Sequence, residues 1–345
     1  MKKLVGLADA NTLLSNLRGG SSLESLGPAT ALSRLAKGEL SREEYLKQYG
    51  HRGPHELEVS IPGTDEDPDR IDRQLDDFRK SPVDIGTQLS NQQKEFDKAL
   101  KRLQESYPGK FNGIKARLDA ISTAACMREA LRSEFTRVNR VIRFFAQKAG
   151  EITGMKDDVF FLTMDEIIDL LAGRSGVPDY EKRRETYEKY CSLPPHPALI
   201  NGRFDPFQWS NDPNRRSDLF DSHTGDIRWP SGVIKGFAGA AGTAEGTVRR
   251  LNNIEEANLL QPGEILVTET TNIGWTPLFP RAAAIVTDVG APLSHAAIVA
   301  RELGIPAVVG CGNATLLLHT GDRVCVDGTV GTVKIIEHAN RGLEK

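Results

Sequence analysis

Through the first two-thirds of the chain, apolar positions recur at helical spacing. Between Asn91 and Tyr107, Phe96, Leu100 and Leu103 fall four and three apart among good helix formers, which predicts a helix. A second helix is predicted from near Met127 to Glu151. There Leu131, Phe135, Val138, Ile142 and Phe145 repeat at 4, 3, 4, 3, and Arg132, Arg137, Arg140 and Arg143 share the other side. The pattern reads as a core-facing stripe opposite a solvated arginine face; an anion-facing arginine row is the alternative. Asp157–Leu162 reads as a short extended segment. Thr163 to Glu166 has the capping-box pattern, Ile167, Ile168, Leu170 and Leu171 form an apolar side, and Gly173 is a helix stop. A charged helix over Asp179–Cys191 ends before Pro194-Pro195. Upstream, residues 64–77 read as an exposed acidic loop entering a helix.

From Asn201 to Pro230 the periodicity is lost among Asn, Asp, Pro and Arg, so this stretch is expected to be a linker or surface loop. Its aromatics, Phe204, Phe207, Trp209, Phe220 and Trp229, would tether it to a neighbouring domain. Beyond Gly232, glycines and short β-branched runs take over. Strands are expected at Thr247–Leu251, Glu264–Thr268, Ala284–Thr287, Ala307–Val309, Arg323–Val326 and Thr332–Ile336, with helices at Ile254–Leu260 and Ser294–Leu303. Alternation of that kind implies a compact α/β unit on a mixed sheet. The organisation expected is a helical region over residues 1–200, a linker over 201–230 and an α/β domain over 231–345.

Composition narrows the function classes. Among 345 residues, Lys+Arg 44 against Asp+Glu 47 leaves a net charge of -3, which gives no reason to expect nucleic acid or an anionic membrane as partner. No apolar run is long enough for a membrane span. The opening Met1–Ala8 starts like a signal peptide, but Asp9, Asn11 and Thr12 interrupt it, so a cytoplasmic location is expected. The four cysteines form no CxxC pair, and buried free thiols are the default reading.

The most informative local sequence runs from Thr287 to Gly310. A strand ends at Thr287, a glycine-containing loop turns, Ser294 is suited to the N-cap and His295 to the first helical position, and Gly304 and Pro306 stop the helix. A helix N-terminus offers free N–H groups and the positive end of a dipole. An imidazole there is more easily kept neutral, and a neutral imidazole nitrogen is a nucleophile towards phosphorus. The bland alternative is a structural, hydrogen-bonded histidine.

These residues resemble a known pattern. Thr287, Gly290, His295, Ala297, Ile298, Ala300, Arg301, Glu302, Gly304, Ile305, Pro306, Ala307, Val308, Val309 and Gly310 match the signature of the phosphohistidine (swivelling) domain of the PEP-utilising enzymes. Two positions depart from it. Ala291 replaces the second glycine of the loop, and Leu293 stands where the dikinases carry a regulatory threonine, so that regulation is not expected here. Tyr49 to Glu58, Asp157 to Leu171 and Thr270 to Pro280 resemble other parts of the family.

The resemblance implies a multidomain α and α/β protein with a β/β/α swivelling domain at its C-terminal end. His295 would be the phosphorylated residue, and Ser294, Ala296, Arg301, Thr287 and Gly290 would stabilise the phosphate. Arg52, His51 and Glu56 would contact substrate. For His51, His55, Glu56 and Glu58 together, Gly50, Gly53 and Pro54 argue against a metal site, and no metal is expected. The sequence holds no phosphate loop, and the family's ATP-grasp domain has no counterpart. The expectation is therefore a phosphotransferase component, incomplete on its own. A separate ATP-grasp domain or subunit would hold ATP and Mg, and a small molecule would accept the phosphate. The alternatives are a non-catalytic truncated relative acting by binding or regulation, and a self-contained enzyme with an unrecognised nucleotide site.

Overall fold

A computed structural model describes residues 10, 12–14, 24–67, 69–80, 85–223 and 232–339. The opening Met1–Ala8 and Trp229 lie outside the described residues. In chain order the helical region comprises α1 (Gly27–Ala36), α2 (Arg42–Tyr49), α3 (Arg70–Lys80), α4 (Ile85–Ser106), α5 (Pro108–Thr153), a 3-10 segment (Lys156–Phe161), α6 (Met164–Leu171) and α7 (Glu181–Cys191). The rest holds β1 (Leu199–Asn201), α8 (Pro206–Ser210), β2 (Leu219–Asp221), β3 (Val233–Lys235), β4 (Phe237–Ala240), β5 (Thr243–Arg250), a 3-10 segment (Ile254–Leu259), β6 (Ile265–Thr268), a 3-10 segment (Ile273–Arg281), β7 (Ala284–Thr287), α9 (His295–Leu303), β8 (Ala307–Val309), α10 (Ala314–Leu317), β9 (Arg323–Asp327) and β10 (Thr332–Glu337).

The C-terminal domain is built on a mixed sheet of order β3-β10-β9-β5-β6-β7-β8-β4. Strands β5, β6, β7 and β8 pair in parallel, and the flanking pairs are antiparallel. Side chains alternate across it as a pleat requires. Ile265, Val267, Val286 and Val308 point into one core, and Leu266, Ile285 and Val309 point into the other. The second core also contains Leu26, Ala29 and Ile85, so α1 and α4 share one apolar cluster with α9.

All six strands and both helices expected beyond Gly232 are present, within a few residues at their ends. Strands β3 and β4, the 3-10 segment Ile273–Arg281 and α10 come in addition. Thr163 and Glu166 form the expected reciprocal capping box.

Two expectations are corrected. The segment Asp157–Leu162 is not extended; it forms the 3-10 turn Lys156–Phe161, whose Val159 is buried against Ala146 and Ala149 of α5. In the described part of the stretch 201–230, β1 pairs in parallel with β2 and Phe204 packs on Trp209, Phe220 and His196. The helix near Met127–Glu151 is the second half of the 46-residue α5, and its faces are reversed. Leu131, Phe135, Val138 and Phe145 are 53–66% exposed, whereas Ser122, Glu129, Ser133, Thr136 and Arg143 are buried.

The cause of the reversal lies in the irregular segment 50–67, which packs on α5. Its carboxylates and carbonyls, with the end of α2, take the hydrogen bonds of the arginines on that face. Arg143 donates to Glu66 and to the Val59 carbonyl, Arg140 to Asp65 and Glu66, and Arg137 to the Gln48 carbonyl.

Candidate active site

His295 sits at the first position of α9, directly after the loop that leaves β7. The loop is pinned by Thr287, whose hydroxyl donates to the Val289 carbonyl at 3.0 Å. Ser294 has the extended backbone of an N-cap, but its side chain makes no capping bond, and its Oγ is buried without a partner. The helix ends at Gly304 with φ +71, a left-handed conformation that glycine adopts without strain.

The imidazole is held on both sides. Its Nδ1 lies 3.2 Å from Thr271 Oγ1 and its Nε2 lies 3.2 Å from Thr276 Oγ1. A neutral ring has one N–H and one bare nitrogen, so one threonine accepts while the other donates. The Phe279 ring packs against it at 5.7 Å between centroids. Burial holds the His295 pKa well below its ordinary value, at about 3, with help from the nearby guanidinium groups of Arg132, Arg52 and Arg128. His295 as a residue is half-buried. At neutral pH this is an uncharged imidazole whose bare nitrogen accepts from a threonine hydroxyl, beside three guanidinium groups.

Those cations come from the helical region. Arg52, in the turn after α2, is buried, and its Nε donates to Glu56 at 2.8 Å. Its Nη1 is buried and has no hydrogen-bond partner. Arg132 of α5 reaches the same Glu56 at 3.5 Å. Arg128 donates to the carbonyl of Leu293, two residues before His295, at 3.0 Å, and to Glu129 at 2.8 Å.

Burial raises the Glu56 carboxyl against the opposing pull of Arg52 and Arg132. The turn is fixed from below: the Asn272 side chain donates to the Pro54 carbonyl at 2.6 Å, and a side chain at Gly274 would come within 2.8 Å of Pro54. So the 3-10 segment that supplies Thr276 also seats the turn that supplies Arg52.

The other residues expected at the site divide clearly. His51 lies behind the arginines, buried, with Nε2 2.9 Å from Ser133 Oγ; burial, then Arg137, Arg52 and Arg140, hold its pKa at about 3. Ala296 contributes only the backbone of the first turn of α9. Gly290 allows close packing, since a Cβ there would lie 3.0 Å from Val309 and 3.1 Å from Ser294 Oγ. The guanidinium of Arg301 is occupied elsewhere: Nε donates to the Gly239 carbonyl at 2.6 Å and Nη2 to the Pro292 carbonyl, tying α9 to β4 and to the loop. His55 is exposed and 3.8 Å from Glu255. Among the described residues, no three His, Cys, Asp or Glu side chains gather in a way that could hold a metal ion.

Sequence reasoning missed Thr271, Thr276, Arg128 and the inward role of Arg132. The signal for the arginines was present. Ser122, Glu129, Ser133 and Thr136 recur at helical spacing and mark a polar seam that an apolar-stripe reading passes over.

The family profile of the PEP-utilising enzyme mobile domain matches residues 260–331. A rifampicin phosphotransferase of Streptomyces sviceus is 30% identical over 316 residues, which is 85% of this chain and 34% of that protein. The corresponding protein of Bacillus subtilis is 30% identical over 334 residues, 88% of this chain and 36% of that one. A prodigiosin synthesizing transferase of Serratia marcescens is 30% identical over 311 residues, 86% of this chain and 33% of that one. The chain thus spans about a third of the length of the curated relatives it matches.

Proposed function

The chain belongs to the PEP-utilising enzyme family through its mobile domain, and we propose that it is a phosphohistidine carrier within a dikinase-type phosphotransferase. His295 takes a phosphoryl group that originates from ATP held on a separate ATP-grasp domain or subunit, and passes it to the hydroxyl of a small acceptor. Overall, ATP, water and acceptor give AMP, phosphate and phosphorylated acceptor. Mg would accompany the nucleotide on the partner.

The observation that carries this reading is a neutral imidazole between two threonine hydroxyls, beside three arginines, one of which has a buried, unpartnered guanidinium nitrogen. Phosphoryl transfer asks the protein for positioning and charge stabilisation more than for covalent chemistry. The bare ring nitrogen attacks phosphorus, and the N–P bond forms as the bond to the leaving oxygen breaks. The free N–H groups of the first turn of α9, the Ser294 hydroxyl and Arg52 Nη1 are available to the phosphoryl oxygens. In the second half-reaction the acceptor oxygen attacks phosphorus and the imidazole leaves. The exposed apolar face of α5 supports the expectation that the chain works against a partner.

The test is transfer of label from ATP labelled in the β-phosphate, to the chain alone and with extract of its host. Acid-labile, alkali-stable label that needs the extract is expected. Label on the chain alone would place the nucleotide site within it, and no label under either condition, with the protein folded, would sink the carrier reading in favour of a binding or regulatory protein. Arg132→Ala is expected to slow labelling about 10²-fold, the usual cost of removing one charge-stabilising group, measured as the initial rate of label incorporation at saturating partner.

A further inference from the structure

A cavity of about 510 Å³ lies between the helical region and the mobile domain, away from the arginines that face His295. That volume is within the range of small-molecule sites, which favour domain interfaces. Its apolar wall is made by Ala29 and Leu32 of α1, Ile85 of α4, Ile254 and Ala257 of the 3-10 segment Ile254–Leu259, and Leu278.

The charges around it are nearly all satisfied. Arg73 pairs with Asp67, Asp76 with Arg79, and Glu255 with His55. Arg70 lines the same cavity, half-buried, and among the described residues no carboxylate lies within ion-pair distance of it. A chamber with one apolar wall and a guanidinium that no described carboxylate contacts directly suits a ligand that has an apolar body and a single anionic group, because Arg matches a carboxylate or sulfonate with paired donors.

The cavity shares a wall with the site. Gly274, Pro277, Leu278, Pro280 and Arg281 of the segment Ile273–Arg281 face the cavity, while Thr276 and Phe279 of the same segment hold the His295 ring. We propose that this cavity binds an apolar monoanion, and that its occupancy alters the reactivity of His295 through the shared segment Ile273–Arg281. Binding itself does not depend on the phosphohistidine reading; only the biological meaning of the coupling does.

The probe is 8-anilinonaphthalene-1-sulfonate, an aromatic monosulfonate, titrated by fluorescence into the intact chain. Saturable binding is expected, weakened about tenfold or more by Arg70→Gln and by Asn258→Trp, an exposed lining position whose substitution narrows the cavity without touching the core. Phe145→Ser, on the exposed face of α5, should leave the affinity unchanged. With the probe bound, carbethoxylation of His295 by diethyl pyrocarbonate, followed by peptide mass mapping, should change in rate by threefold or more. Binding that is indifferent to both cavity variants, or that is lost in Phe145→Ser, would overturn the site. Binding in the cavity with an unchanged His295 rate would overturn the coupling. Neither readout uses phosphoryl transfer, so the proposal can fail while the carrier reading stands, and the reverse.

Discussion

His295→Ala is expected to abolish acid-labile phosphate on the chain, a loss of more than 10³-fold in labelling at any partner concentration. No neighbouring group can replace the ring, because the other polar atoms around it are hydroxyls and guanidinium groups, which are not nucleophiles at neutral pH. The substitution should leave the fold intact. The position starts a helix already continued by Ala296 and Ala297, and alanine is the best helix former.

The two threonines separate attack from orientation. Thr271→Val and Thr276→Val each leave an imidazole but remove one of the hydroxyls that fix the ring and its tautomer. Each should slow labelling by about tenfold, the equivalent of one hydrogen bond of about 1.4 kcal/mol. Residual label in His295→Ala that is acid-labile and maps to another residue would remove His295 from the centre of the mechanism. Mapping by mass spectrometry after alkaline handling decides between the two results.

Much of the mobile domain was legible because local and global signals agree there. Ile265–Thr268 and Ala284–Thr287 are buried throughout, as strands of a parallel sheet covered on both faces must be, and they read as unbroken apolar runs. His295 was legible because an N-cap, a helix start and a glycine stop surround it within ten positions. The helical region was legible as helices but not in its orientation. Periodicity locates a face; it does not say whether solvent or protein lies against it. On α5 the polar side turned inward because the segment 50–67, which has no regular hydrogen bonding of its own, takes donors from Arg140 and Arg143. The threonine partners of His295 were not legible either. They lie 24 and 19 residues away in sequence, and only the crossing of the segment Ile273–Arg281 beneath α9 brings them to the ring.

Between pH 8 and pH 5, His51 and His295 are expected to cost the fold about 2 kcal/mol each. Both are held neutral in the folded chain, with pKa values of about 3 caused first by burial and then by arginines. The unfolded chain returns each to about 6.5. A depressed folded pKa means that the unfolded state binds the proton more readily. The stability contribution is therefore fully present above pH 6.5 and is lost as pH falls from there towards 3. At pH 5, one and a half pH units below the unfolded value, the loss is about 2 kcal/mol for each histidine.

Glu269 works in the opposite direction. Burial, with Asp288 beside it, raises its carboxyl to about 7 against the pull of Arg215. The folded state therefore favours its protonated form, and its penalty shrinks as pH falls from 7 towards 4.5. Glu269 thus offsets part of the loss from the histidines, and the informative measurement is a difference. Urea unfolding of the wild-type chain and of His51→Gln at pH 8 and pH 5 should give a drop larger by about 2 kcal/mol in the wild type. Glutamine keeps a hydrogen bond to Ser133 but cannot titrate, so a constant offset from lost packing cancels between the two pH values. Equal drops in the two proteins would mean that His51 titrates near its ordinary value, and that the arginines around it do not press on the histidines as the structure arranges them.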